Sequence, residues 1–182
     1  MNMKASNIIP PSSWKISNWS GGTTSELLIL PKESELKKGN YDLRISIATV
    51  EVEESTFTAL PGVNRILTIL NGELELIHEG RHSTVLKQYE QDYFLGDWKT
   101  RSIGKVRDFN VMTKNCLAEV TVHYLSKDEA IELTANDFLF LAEGKGQVEN
   151  QEIGINSSIL CKNEQKVVAT EQSVAILVRT KK

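Results

Sequence analysis

Short alternations of apolar and polar residues recur along the chain, and turn residues separate them about every ten positions. The clearest alternation runs from Tyr41 to Val50. Successive side chains of a strand point to opposite faces, so the apolar face of this segment holds Leu43, Ile45 and Ile47. The opposite face then holds Arg44, Ser46 and Ala48. We therefore predict a strand with one apolar face and one polar face.

A second strand is predicted from Arg65 to Leu70, with an Asn71–Gly72 hairpin turn and a return strand from Glu73 to His78. Further short strands are predicted at residues 23–30, 83–86, 91–95 and 116–125. The pair Gly21–Gly22 is predicted to form a tight turn or a bulge leading into the first of these, because no phosphate-loop signature follows it. The polar residues 96–104 predict a connection, and residues 108–115 combine acidic, amide and apolar residues without a regular pattern.

The segment LTILNGELELIHEG (67–80) is echoed by LFLAEGKGQVENQEIG (139–154). Gly72 then corresponds to Gly144 and Gly80 to Gly154, and residues 85–94 correspond to 159–168. Because no helical period exceeds about two turns, we predict an all-β chain in which one β unit is used twice, as a double jelly-roll-like barrel. The predicted halves are residues 1–115 and 116–182, with strands open to exchange between them.

The composition narrows the class of protein. Of 182 residues, 40% are hydrophobic and 25% charged, as in ordinary globular proteins, and the net charge is −3. This charge argues against nucleic acid or an anionic membrane as the main partner. Neither an apolar signal segment nor a membrane span is visible, so we expect a cytoplasmic protein. Cys116 and Cys161 are expected to be reduced.

The residues supply no complete catalytic constellation. His78 and His82 flank the predicted turn at Gly80, and we expect them on a solvated hairpin tip without an enclosed cavity. With His123 they are read as surface or structural histidines, so no metal site and no cofactor are predicted. Cys116 and Cys161 have no evident base beside them, and the hydrolase nucleophile motif is missing.

A binding site is indicated more clearly than a catalytic site, by Arg44 and Arg65. One of these arginines lies on each of the two predicted strands. A buried guanidinium is retained when it is paired, because unpaired burial of a charge is costly. The partner is either a protein carboxylate, such as Glu26 or Asp97, or the carboxylate of a ligand. The alternative is that each arginine lies on the outer face or in a structural salt bridge.

Several segments resemble the HutD/Ves family of bacterial bicupins. They are WSGGTTSEL (19–27), RISIATVEV (44–52), FTALPGVNRILTILNGELEL (57–76) and FLGDWKTRSIGKVRDFNVMTKN (94–115), with a weaker match at LFLAEGKG (139–146). Leu60 stands where this family usually has an aromatic residue. The resemblance implies a double-stranded β-helix (cupin) fold with two cupin-like halves. It also implies a link to histidine utilisation in some members, where a ligand-binding regulatory role has been proposed, and it supplies no reaction.

The leading hypothesis is a non-metal bicupin that binds a small anionic, carboxylate-bearing metabolite. Its predicted binding residues all lie in the first half: Thr24, Glu26, Arg44, Ser46, Arg65, Asp108 and Asn110. The second half has no arginine in the corresponding strand and is expected to be scaffold. Two other classes stay open: a metal-independent isomerase or hydrolase using Glu26, Asp97 or Asp108, and a structural or protein-interaction module. A homodimer through an edge strand is also left open.

Overall fold

The computed structural model describes residues 6–181, so part of the N-terminal segment considered for a secretory signal lies outside the described residues. Contacts divide the chain into two units, Trp14–Leu117 and a second unit made of residues 6–13 and 118–181. The sequence analysis assigned residues 6–13 to the first half. Strand β1 (Ser6–Ile9), however, pairs with a strand of the C-terminal unit, Ser158–Cys161.

The N-terminal unit is built from ten strands: β2 (Lys15–Trp19), β3 (Gly22–Leu30), β4 (Leu43–Val50), β5 (Glu54–Thr56), β6 (Asn64–Asn71), β7 (Leu74–His78), β8 (Ser83–Leu86), β9 (Gln91–Leu95), β10 (Thr100–Ile103) and β11 (Arg107–Thr113). They form a six-stranded sheet in the order β2-β3-β4-β11-β6-β9 and a four-stranded sheet in the order β5-β10-β7-β8. A short 3₁₀ turn, Leu36–Lys38, lies between β3 and β4.

The C-terminal unit contains β1 and β12 (Leu117–Leu125), β13 (Ala130–Leu133), β14 (Phe138–Glu143), β15 (Gly146–Val148), β16 (Gln151–Ile153), β17 (Ser158–Cys161), β18 (Gln165–Ala169) and β19 (Ser173–Lys181). Its two sheets have the orders β1-β17-β14-β19-β12 and β13-β18-β15-β16. No helix within residues 6–181 is long and apolar enough to cross a membrane.

The same pairing scheme occurs in both units. Strand β6 pairs with β9 and β11 while β7 pairs with β8 and β10, and likewise β14 pairs with β17 and β19 while β15 pairs with β16 and β18. The turns after β6 and β14 both use a glycine with positive φ, 91° at Gly72 and 79° at Gly144. The sequence echo therefore identified the correct first hairpin turn.

The rest of the echo was aligned incorrectly. The turn between β15 and β16 is made by Glu149 and Asn150, with φ of 47° and 64°, whereas Gly154 follows β16. The proposed match of residues 85–94 with 159–168 relates β8 and β9 to β17 and β18, one strand too far along the chain. Each short strand has a similar apolar pattern, so composition alone did not fix the register.

Several strands of the N-terminal unit were missed, namely β2, β5, β10 and β11. Residues 100–103 form β10, although the sequence predicted a polar connection, and Arg107–Thr113 forms β11 in the centre of the six-stranded sheet. In strand β11 the apolar Phe109 and Val111 alternate with Asp108 and Asn110, but the apolar Met112 on the polar face obscured this pattern. Strand β4 is also largely buried on both faces, and its longer alternation could be recognised in the sequence.

Each unit has its own apolar core. In the N-terminal unit, fully buried core residues include Leu67, Ile69, Leu74, Leu76 and Phe94. In the C-terminal unit they include Leu133, Leu139, Val148, Ile159 and Ala175. Burial of this apolar surface is the main favourable contribution to folding of each unit.

The turn from β2 into β3 depends on Gly22, as the sequence predicted. Its φ is 150°, and a Cβ at this position would lie 1.9 Å from the carbonyl oxygen of Thr49 in the neighbouring strand. That oxygen belongs to the backbone of the central sheet and cannot move without disturbing β4.

Gly22→Ala is therefore expected to lower the free energy of unfolding by about 2 kcal/mol or more, through steric overlap and backbone strain. Urea denaturation followed by tryptophan fluorescence measures this. Gly154→Ala is the matched control, since its φ is not positive and a Cβ there would meet nothing within 4 Å. Equal stability of the two variants would show that the strand can shift at Gly22 without cost.

Candidate functional site

The polar residues of the first unit meet on one face of the six-stranded sheet, in three neighbouring cross-strand rows. The first row is Arg44–Met112–Arg65, the second is Glu26–Ser46–Asn110–Leu67, and the third is Thr24–Ala48–Asp108. Every second residue of a strand faces the same side, so four strands bring residues from distant parts of the chain together. Arg44 and Arg65 lie one strand apart on either side of Met112.

A cavity of about 330 Å³ lies against this face. It is also lined by residues of β2, of the 3₁₀ turn and of the segment from β5 to Leu60, namely Ser17, Trp19, Leu36, Ser55, Thr56, Phe57, Thr58 and Leu60. All of these residues belong to the N-terminal unit. Six predicted site residues line the cavity: Thr24, Arg44, Ser46, Arg65, Asp108 and Asn110.

Glu26, the seventh predicted residue, does not line the cavity but holds Arg44 in place. Arg44 Nε donates a hydrogen bond to Glu26 Oε2 at 2.7 Å, and Arg44 Nη1 donates one to Ser46 Oγ at 3.1 Å. Of the two carboxylates proposed as partners, Glu26 pairs with this arginine, whereas Asp97 is exposed and outside the cavity. Arg44 is therefore a paired, fixed guanidinium at the edge of the site.

Arg65 has a different environment. It is 7% exposed, its Nε has no hydrogen-bond partner among the described residues, and none of the ion pairs in that part of the chain includes it. Its guanidinium carbon lies 4.7 Å from the ring centre of Phe57 and 5.2 Å from that of Phe94. These cation–π contacts compensate only part of the lost hydration. Burial lowers the pKa of Arg65 to about 10, although Asp108 acts in the opposite direction.

Asp108 is the third buried ionisable residue on the cavity face, after Arg44 and Arg65. It is 4% exposed, and burial raises its pKa to about 7, while the positive charge of Arg65 opposes this shift. In the neighbouring row, Asn110 Oδ1 is buried and has no hydrogen-bond partner among the described residues. Near neutral pH the cavity thus holds a buried cation, a carboxyl group close to half-protonated, and an unused acceptor.

Residues on the far wall were not predicted as part of the site. Phe57 and its neighbours were quoted only as part of a family-like segment, and the three-residue strand Glu54–Thr56 is too short to show a period. Sequence spacing offered no signal that this segment covers the face carrying Arg65. The aromatic contact between Phe57 and Arg65 becomes visible only in the fold.

The histidine predictions need one correction. His78 is 2% exposed rather than solvated, and its ring lies against Phe94 and Trp98. The expected hairpin tip packs onto β9, so its base is covered. His123 is partly buried and its Nε2 hydrogen-bonds Thr121 Oγ1 at 2.9 Å. Both cysteines are free, as expected.

Comparison with known proteins identifies the family. The HutD family model matches residues 11–181, nearly the whole chain. The chain belongs to the HutD family. A search of curated proteins by sequence gives no match.

Solved structures share the HutD-family fold at low sequence identity. The conserved protein of unknown function PA5104 from Pseudomonas aeruginosa PAO1 is 19% identical with a TM-score of 0.82, over 97% of this chain and 99% of that one. HutD from Pseudomonas fluorescens SBW25, in a formate condition, is 18% identical with a TM-score of 0.75, over 98% and 100%. The Escherichia coli pirin YhhW in complex with nickel(II) is 9% identical with a TM-score of 0.71, over 95% and 97%. The all-β cupin fold is thereby confirmed.

The raised pKa of Asp108 makes stability depend on pH. The folded state holds this proton up to about pH 7, whereas the ordinary carboxyl value is 3.8, so folding becomes less favourable as pH rises through this window. Asp108→Asn removes the effect and should stabilise the protein increasingly from pH 5 to pH 8, by roughly 4 kcal/mol at most.

Urea denaturation of both proteins at pH 5 and pH 8 measures this difference. Asp97→Asn serves as the control because Asp97 is exposed. A gain in stability that is the same at both pH values would contradict a titrating Asp108.

Proposed function

We propose that this HutD-family protein binds a small, carboxylate-bearing metabolite in the cavity of its N-terminal unit, without a metal or cofactor. The observation that carries the proposal is the Arg65 guanidinium, which is buried on the cavity wall without an ion pair among the described residues. A carboxylate in the cavity would supply the missing acceptors and neutralise the charge.

The surrounding groups fit such a ligand. Arg44 is already paired with Glu26, so Arg65 is the cation available to an anion. When Asp108 is protonated it presents a hydrogen-bond donor in place of a negative charge, and the side-chain amide of Asn110 adds a further polar group. The cavity volume of about 330 Å³ is at the lower end for small-molecule sites and favours a small metabolite.

Family membership supports a role for this binding in amino-acid catabolism. Some members are linked to histidine utilisation, and a regulatory protein there needs a site for a small metabolite rather than a complete catalytic set. The solved HutD from Pseudomonas fluorescens was obtained in a formate condition, and formate is the simplest carboxylate probe for the cavity. The proposed activity is therefore ligand sensing, with the bound anion completing the polar face of the sheet.

Replacing Arg65 by methionine separates binding from folding. Arg65→Met removes a buried cation while keeping a similar side-chain volume. The free energy of unfolding of the ligand-free variant should therefore exceed that of the wild type by about 1 kcal/mol or more. The increase in Tm produced by carboxylates should disappear. Differential scanning fluorimetry with formate, L-glutamate and L-histidine measures both effects.

Arg101→Gln is the matched control, because Arg101 is exposed on β10 and outside the cavity. It should keep the full ligand-induced increase in Tm. If the Arg65 variant responds to every effective carboxylate as strongly as the wild type, the binding site lies elsewhere.

Asp108 favours one alternative, a metal-independent enzyme. A carboxyl group with a pKa of about 7 can take up and release a proton at neutral pH, which suits general acid–base catalysis in an isomerase or hydrolase. Asp108→Asn would then abolish turnover of a bound carboxylate while ligand-induced stabilisation persists. For the binding function, mass spectrometry should instead recover each bound carboxylate unchanged from the wild type.

A further inference from the structure

We propose a divalent transition-metal site, best suited to Zn²⁺ or Co²⁺, formed by His78, His82 and Asp92. It is separate from the cavity, which none of the three residues lines. His78 ends β7, His82 lies in the turn before β8, and Asp92 belongs to β9 at the edge of the other sheet of the same unit. One ligand atom from each residue lies within 4.8 Å of the others.

The two histidines converge on one carboxylate oxygen. His78 Nε2 lies 2.9 Å from Asp92 Oδ2, and His82 Nε2 lies 3.5 Å from the same atom. Bonds of about 2.0–2.1 Å in a tetrahedral site put neighbouring ligand atoms about 3.3 Å apart, so both histidine–carboxylate distances already lie close to this spacing. Two imidazoles and one carboxylate form a familiar donor set for Zn²⁺, with one position left for water.

The turn between β7 and β8 fixes the spacing of the histidines. His78 N donates a hydrogen bond to His82 O at 2.9 Å, and Arg81 N donates one to His78 O at 3.0 Å. The rings are consequently held with their centres 4.7 Å apart. Two ligands from one tight turn and a third from the facing strand need little further ordering to bind a metal.

Thr100 allows His78 to present a lone pair to the metal. Thr100 Oγ1 lies 2.8 Å from His78 Nδ1 and 3.4 Å from the carbonyl oxygen of Trp98. Without metal, the hydroxyl can donate to Nδ1 while Nε2–H donates to Asp92. With metal on Nε2, Nδ1–H donates to the hydroxyl, which turns towards Trp98. Such a partner for the second ring nitrogen is typical of metal-binding histidines.

Trp98 covers part of the proposed metal site, while His82 and Asp92 keep it accessible to solvent. Trp98 packs edge-on against both histidine rings, at 5.2 Å from His78 and 5.9 Å from His82. Arg81 places its guanidinium on the Trp98 ring at 4.3 Å, so one positive charge lies near the site and opposes cation binding. The His82 side chain is 45% exposed and that of Asp92 17%, which provides an entry path.

Phe94 separates this site from the cavity. Its ring centre lies 4.8 Å from that of His78 on one side and 5.2 Å from the Arg65 guanidinium on the other. Metal binding therefore does not depend on the proposed carboxylate site. Arg65→Met should leave metal binding intact, so the two proposals can fail independently.

Titration of the untagged protein with Co²⁺ tests the site. We expect one Co²⁺ per chain, with visible absorption bands typical of four-coordinate N/O ligation, and competition by Zn²⁺ in equilibrium dialysis. His82→Gln and Asp92→Asn should each weaken binding at least tenfold. These two side chains are partly exposed, so the variants are expected to fold, and circular dichroism checks this.

His123→Gln is the matched control, since His123 lies in the other unit, and it should bind Co²⁺ as the wild type does. Thr100→Val should weaken binding by roughly tenfold if the hydroxyl orients His78 as proposed. No saturable Co²⁺ binding by the wild type, or unchanged binding by both His82→Gln and Asp92→Asn, overturns the proposal. Thiolate charge-transfer absorption would also overturn it, by assigning the metal to a cysteine.

Discussion

The cost of burying Arg65 is the constraint on which the candidate site depends. A guanidinium in a dry environment destabilises the fold unless acceptors surround it, and here Phe57, Phe94 and the charge of Asp108 supply only part of the compensation. The apolar core of the unit must offset the remainder. Under the proposed function, a bound anion would supply the acceptors that this guanidinium lacks.

The C-terminal unit shows what a satisfied buried charge looks like in the same protein. Asp137 accepts hydrogen bonds from Arg179 Nε at 2.9 Å and Nη2 at 2.6 Å, and from the backbone N–H of Thr134 at 2.8 Å. Although burial alone would raise it, these bonds lower the pKa of Asp137. The pairing scheme of the strands is shared by both units, so the fold does not require an unpaired cation. Arg179 has a carboxylate partner and a side chain that is 43% exposed, whereas Arg65 is buried without an ion pair among the described residues, and the proposed binding function rests on this difference.

The sequence predicted those parts of the fold in which one strand face differs from the other. Strand β4 alternates cleanly, so the polar face with Arg44 and Ser46 was identified, and the family-like segments extended it to Asp108 and Asn110. Strand β11 was not identified, although Phe109 and Val111 alternate with Asp108 and Asn110, because the apolar Met112 interrupts its polar face. His78 was misplaced because spacing along a hairpin does not show what packs on it. Packing of β9 against that hairpin is a long-range contact with no local signature.

The two candidate sites of the N-terminal unit share one structural cause. A barrel made of two facing sheets has an interior where polar groups meet, and edges where a hairpin of one sheet meets an edge strand of the other. The proposed anion site lies in the interior, where the buried Arg65 has no ion pair among the described residues. The edge around Asp92 is partly solvated, so its carboxylate can attract a cation without the desolvation cost that acts on Asp108. Phe94 lies between them, and one aromatic ring thus keeps opposite electrostatic environments apart in a single unit.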